Sequence, residues 1–238
     1  MHTVYWSTVE NRGGEAGRDL SLAYQEPIPL KDAVPKKIAD SPYGKCPAFF
    51  ETLKNTYALK SPVSYKIKID PKSKEYATDC DALFNSHFTA PTDQHGIAQF
   101  NFGFIFFSEK PLMMSQMHPY LHNNSITRNG NIAYGEFDCG KWLRNIACAV
   151  ILDPNIKQYE FNLTNNDIFS YTKFHTDEKV ILKRFDMTDK IRDISNKCFD
   201  FKLRKSKGID SLLKVYDVFE KARYRKPLLR EIKANLLE

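Results

Sequence analysis

Between Ile97 and Glu109 the chain reads IAQFNFGFIFFSE. Ala98, Phe100, Phe102, Phe104 and Phe106 recur at every second position, with Gln99, Asn101 and Gly103 between them, until Ile105 and Phe107 make both series apolar. Side chains alternate faces along a strand but repeat every 3.6 residues along a helix, so this spacing predicts one extended strand with at least one face in a core. A chain holding such a segment must build a sheet thick enough to bury it.

Other stretches repeat the rhythm. Tyr65, Ile67 and Ile69 alternate with Lys66 and Lys68, and Asp70-Pro71-Lys72-Ser73 supplies a turn before Glu75-Tyr76-Ala77, which together predict a hairpin. His2 to Val9, Ile132 to Phe137, Ile146 to Leu152, Tyr159 to Leu163, Ile168 to Phe174 and Val180 to Phe185 are further strands, separated by Asn-Gly, Asp-Pro-Asn and Asn-Asn-Asp turn signals. Their close spacing predicts antiparallel pairing, because a parallel crossover needs a dozen or so residues between strands. The expected class is α+β, with an antiparallel β-sandwich or jelly-roll-like core.

Two helical regions interrupt this pattern. Pro47 to Lys54 places proline at a helix start and predicts Phe49, Phe50 and Leu53 on one face. Beyond Met187, Ile191, Ile194, Cys198 and Phe201, then Ile209, Leu212, Leu213, Tyr216 and Phe219, then Leu228, Leu229, Ile232 and Leu236 recur at three- and four-residue steps. Gly208 and Pro227 divide them, so three amphipathic helices follow. The expected organisation is a β-rich domain over residues 1–186, with an arm from Asn11 to Tyr43 wrapped over its surface, and a basic helical segment over 187–238 packed on or beside it.

Charge is uneven along the chain. Residues 187–238 hold fourteen Lys and Arg against eight Asp and Glu, which accounts for the whole net charge of +6; the first 186 residues balance. No stretch reaches the roughly 20 apolar residues of a membrane span, and Met1 to Glu10 lacks a signal peptide's basic start and apolar run, so a cytosolic location and no membrane partner are expected. The five cysteines are widely spaced and read as buried thiols.

Candidate chemistry rests on isolated residues. His175-Thr176-Asp177 has the His-x-Asp order that iron- and 2-oxoglutarate-dependent oxygenases carry, and His118, His122 and Glu136 would complete a cupin-like set for a divalent metal. No histidine follows His175 to supply the downstream ligand of those oxygenases, and a hairpin loop between two strands accounts for the same residues. No Gly-x-Ser-x-Gly elbow, Walker A or Gly-x-Gly-x-x-Gly sequence occurs, which removes the commonest nucleophile and nucleotide signals. Lys202, Arg204, Lys205 and Lys207, and then Lys221, Arg223, Arg225 and Lys226, form two basic clusters that suit phosphates or an acidic protein face. Asp200, Asp210, Asp217 and Glu220, interleaved with these basic residues, also fit a solvated helical surface.

Cys46-Pro47-Ala48-Phe49 with Lys54-Asn55-Thr56-Tyr57 and Ser61-Pro62, Gly135-Glu136-Phe137-Asp138 with Lys141-Trp142-Leu143-Arg144, and the stretch from Asp167 to Phe185 together resemble an uncharacterised protein family of tailed bacteriophages, particularly marine ones. Tyr216-Asp217-Val218-Phe219 and Leu229-Arg230-Glu231-Ile232-Lys233 also fit. The resemblance implies a phage origin and expression inside a bacterial host, and it transfers no catalytic residue. The resulting expectation is a non-catalytic phage protein, virion-associated or a host-takeover accessory factor, that binds a phage or host protein. A cupin-like metal-dependent enzyme and a nucleic-acid binder acting through the basic tail are the alternatives.

Overall fold

The computed structural model describes residues 1–8, 20–70, 76–79, 88–89, 96–141, 143, 145–195 and 223–237. The fold is α+β, with mostly antiparallel sheets and few helices. The phenylalanine run does not form a single strand. Strand β7 (Ile97–Phe100) ends before Gly103, whose φ of 74° lies in the left-handed region that glycine enters without a Cβ penalty, and β8 (Phe104–Ser108) begins after it. The two halves enter different sheets. Even so, Ala98, Phe100, Phe102, Phe104 and Phe106 all stay in one core, as their spacing required.

Strand β8 pairs antiparallel with β1 (His2–Thr8), and β1 pairs on its other side with β15 (Val180–Arg184). The β1–β15 pair is parallel, with His2 opposite Val180 and Trp6 opposite Arg184, against the antiparallel expectation. The argument from spacing applies only to strands near in sequence, and these stand at opposite ends of the sheet-forming chain. A second sheet runs in the order β10 (Gly130–Ile132), β12 (Cys148–Leu152), β7, β6 (Phe88–Thr89). A third runs β11 (Gly135–Asp138), β9 (Met113–Met117), β14 (Ile168–Phe174), β3 (Thr56–Lys60), β2 (Ile28–Pro29). The fourth holds β13 (Tyr159–Leu163), β4 (Tyr65–Ile69) and β5 (Tyr76–Thr78), the last two forming the predicted hairpin. The expected strand from Ile132 to Phe137 divides between two of these sheets as β10 and β11.

All four sheets contribute to one core, including Trp6, Ile67, Phe100, Phe161 and Phe174. A second core lies on the opposite side of β1 and β8. There Tyr5, Ile105 and Phe107 meet Phe185, Met187, Ile191, Ile194, Leu228 and Ile232. Residues 189–195 are helical, and so is Arg225–Ala234, so the described parts of the tail cover this sheet. The helix begins two residues before Pro227 instead of after it. Proline is tolerated in a first turn because its missing N–H has no intrahelical partner there.

Polar contacts fix the C-terminal helix in place. Glu109 accepts a hydrogen bond from the Tyr5 hydroxyl at 2.5 Å and an ion pair from Lys233 at 2.8 Å. The Arg225 guanidinium donates to the carbonyls of Ser108, Glu109 and Gly140 and lies over the Phe107 ring. Beyond the helix, Leu236 bridges Phe185, and the Leu237 amide donates to the Arg184 carbonyl at 2.9 Å.

The region before β3 has more structure than the expected surface arm. Among the described residues it contains α1 (Leu30–Ala33), α2 (Lys36–Ala39) and α3 (Pro47–Leu53). Phe49 and Leu53 of α3 are buried, whereas Phe50 is 56% exposed, so Phe50 leaves the predicted apolar face. No helix among the described residues is long and apolar enough to cross a membrane.

Because β8 is buried on both faces, truncation on either side should destabilise strongly. Phe106→Ala opens the first core and Phe107→Ala the second, and each is expected to cost about 3–5 kcal/mol in urea unfolding. A cost below about 1 kcal/mol for Phe107→Ala would mean that the tail does not pack there.

Candidate functional site

A groove of about 450 Å³ opens where α1, the end of α3 and the loop before β15 meet. One of its walls is tied by a single residue. Asn55, with φ of 51°, takes the left-handed conformation that asparagine tolerates better than other side-chain-bearing residues, and it turns the chain from α3 directly into β3. Its amide donates to the carbonyls of Thr176 and Glu178, both at 2.8 Å, and its Oδ1 accepts from the Val180 amide at 3.1 Å. The Phe174 amide donates to the Asn55 carbonyl at 3.0 Å. Four hydrogen bonds thus tie the 174–180 segment to the α3–β3 turn.

Around this tie, Thr56 donates its hydroxyl to the Thr52 carbonyl at 2.8 Å, and Tyr57 donates to the Val180 carbonyl at 3.0 Å. Burial raises the Tyr57 phenol's pKa, which keeps it a donor. The lining mixes charge and apolar surface: Lys31, Lys54 and Lys179 with Asp32, and Pro29, Phe50, Leu53 and Val180. All three lysines are exposed. Charge counting along the sequence missed this cluster, because the first 186 residues balance and only folding brings lysines from three segments together.

The sequence-predicted metal residues separate. The His175 Nε2 lies 3.0 Å from Ser115 Oγ and 3.5 Å from Glu136 Oε1, while the exposed Asp177 carboxylate lies 3.6 Å from Lys54 Nζ. His175 and Glu136 therefore meet, but Asp177 faces a different partner. Ser115 and Glu136 approach the same ring nitrogen, whereas a nucleophilic relay needs hydroxyl and carboxylate on opposite nitrogens. Ser115 is also fully buried, so this cluster is not arranged for acyl transfer. The loop that carries His175 joins strands of two different sheets and is not the expected hairpin loop.

His118 and His122 sit in a turn after β9. The His118 Nδ1 accepts from the Ile132 amide at 3.2 Å. The His122 ring spans Tyr171 OH at 2.5 Å on Nδ1 and the Ala33 carbonyl at 2.9 Å on Nε2, an arrangement that suits a neutral ring donating from Nε2. Among the described residues no three His, Cys, Asp or Glu side chains come together as metal ligands. Of the predicted set, His175 and Glu136 are the two that approach each other.

Of the predicted basic residues, Lys202, Arg204, Lys205, Lys207 and Lys221 lie outside the described residues. Arg223 and Lys226 are exposed. Arg225 is occupied by three backbone carbonyls, so its main role is to hold the C-terminal helix on the sheet. No protein-family model, curated protein or solved structure matches the chain.

Two outcomes follow from these contacts. Asn55→Ala removes donors to Thr176 and Glu178 and an acceptor for Val180, and is expected to cost about 1–3 kcal/mol in urea unfolding, with faster amide exchange over 175–180. Unchanged exchange there would show that Asn55 does not hold the groove wall. The second outcome concerns pH. Burial lowers the pKa values of His118 and His122 below 6.5, so as pH falls the unfolded chain takes up protons first and stability drops below that value. Hydrogen bonds from Lys233 and Tyr5 lower the Glu109 pKa below 4.5; its contribution is present above 4.5 and is lost as pH falls through the folded value. Thermal melts should be flat just above pH 6.5 and fall in these two stages. His118→Gln should shrink the first stage and leave the share of His122, and an unaltered profile would contradict the assignment.

Proposed function

We propose that this chain is a non-catalytic binding protein of a tailed bacteriophage, and that the groove beside Asn55 is where it holds a phage or host protein. It would serve either in the virion or as an accessory factor in the host cytoplasm. The proposal takes the four sheets as a jelly-roll-like layering that provides a stiff platform. One observation carries it: the groove wall is fixed by hydrogen bonds between the Asn55 side chain and the backbone of residues 176–180, while Lys31, Lys54, Lys179 and Phe50 remain exposed on it. A preformed wall lowers the ordering cost of association. Two of the stretches that resemble the phage family, Lys54-Asn55-Thr56-Tyr57 and residues 167–185, meet at this groove.

A benzophenone amino acid in place of Phe50 tests the reading during infection of the host. Cross-linking to one identified protein from position 50, and none from an equivalent label replacing the exposed Tyr120, is the expected result. Identical cross-links from both positions, or none at position 50, would remove it. Mass spectrometry of purified virions then assigns the role: stoichiometric copies place the protein in the particle, and their absence places it on the host side.

The approach of His175 to Glu136 is the one observation on the side of a second reading, a cupin-like metal-dependent enzyme of the non-haem iron and 2-oxoglutarate type, in which Glu136 would take the place of Asp177 beside His175. Stoichiometric iron, manganese or zinc in protein purified without chelator, lost in His175→Ala, would establish that reading over the binding one. Metal below stoichiometry would dismiss it.

A further inference from the structure

We infer that the groove's occupant is an acidic protein segment with one apolar side chain, whose carboxylates meet Lys31 and Lys179 and whose apolar side chain packs on Phe50. The inference rests on the binding reading above and names the partner's chemistry.

Charge is the first argument. Lys31 comes from α1, Lys54 from the end of α3 and Lys179 from the loop before β15, so three distant segments place ammonium groups around one opening. Among the described residues of the lining Asp32 opposes them, and Asp177 beside the groove already pairs with Lys54 at 3.6 Å, so Lys31 and Lys179 carry the attraction. Groups of one sign around a concave surface focus the field and attract the opposite charge. The groove also has an apolar side. Phe50 is 56% exposed on a helix whose other aromatic, Phe49, is buried, and Leu53, Pro29 and Val180 adjoin it in the lining. A purely ionic site has no use for that surface, whereas an aromatic anchor at the centre of a polar rim is how a protein segment is held.

The same residues favour a protein over a nucleic acid. A phosphodiester strand carries closely and evenly spaced charge, and Asp32, together with Asp177 3.6 Å from Lys54, would stand against it. Among the described residues no arginine lines the groove to grip phosphate with a planar fork, and Phe50 gives a single exposed stacking surface where strand binders use several. A peptide can instead present a backbone N–H to Asp32 and space its carboxylates to reach Lys31 and Lys179, leaving the pair of Lys54 and Asp177 in place.

The test uses the full-length protein and fluorescence anisotropy at low salt. The probe is a short labelled peptide of Glu and Asp with one central Phe; competitors are a thymidine oligonucleotide and inorganic phosphate. Saturable binding of the peptide is expected, weakened roughly tenfold or more by the double substitution Lys31→Glu with Lys179→Glu. Phe50→Ser should weaken the parent peptide and leave a peptide lacking the Phe unaffected. All three positions are exposed, and matching circular dichroism melts confirm that the variants fold. Tighter binding of the oligonucleotide, displacement by phosphate alone, no saturable binding, or an affinity unmoved by charge reversal would each overturn the inference. If the position-50 cross-link maps to a segment without acidic residues, this inference falls while the binding reading stands; if that cross-link is missing, both fall.

Discussion

Burial of β8 on both faces is the constraint on which the remaining structure depends. Phe104 and Phe106 face the core shared by four sheets, and Ile105 and Phe107 face the core shared with the tail. A strand that is apolar on both sides cannot stand at a solvated surface, since each exposed phenylalanine would forfeit about 1.5–3 kcal/mol of transfer free energy. A second layer must therefore cover it, and the C-terminal helix does so through Leu228 and Ile232. The contacts that surround Glu109 and Arg225 fix the orientation of that helix; burial of the phenylalanine side chains supplies the larger driving force.

The same sheet determines where the groove lies. Parallel pairing of β15 with β1 positions Val180 opposite His2, and the His2 amide donates to the Lys179 carbonyl at 3.0 Å. The segment leading into β15 is held by β1 on one side and by Asn55 on the other, which gives the groove one rigid wall. Core packing, strand pairing and a single left-handed residue are successive steps towards the same surface. Charge is added last, by lysines whose exposure costs the fold nothing.

Much of the architecture was readable from spacing. The face that carries Ala98 to Phe106, the hairpin of β4 and β5, strands β13 to β15 and the apolar stripes at Ile191 and Leu228 all follow from period-two or helical repeats. The break at Gly103 was not read, although glycine inside a strand pattern is a recognised sign of a bend. Strands β3 and β9 escaped notice because Thr56–Lys60 and Met113–Met117 do not separate polar from apolar positions cleanly, and strands buried on both faces lose the alternation that betrays them. The parallel pair and the groove depend on contacts between distant segments, which no local pattern carries. Of the candidate site residues, His175 and Asp177 would share a face on a continuing strand, but the chain leaves the strand after Phe174 and the turn sends the two side chains to Glu136 and Lys54 respectively.

Native-state hydrogen exchange tests the central claim most directly, because it reports the opening free energy of each segment separately. If β8 is the wall between two cores, the amides of β1, β8 and the Leu228 to Ile232 turn should share the slowest exchange and respond together to added denaturant. Exchange in that helical turn at a free energy far below that of β8 would show the tail to be an appendage on an independently stable sheet, and the account would be wrong.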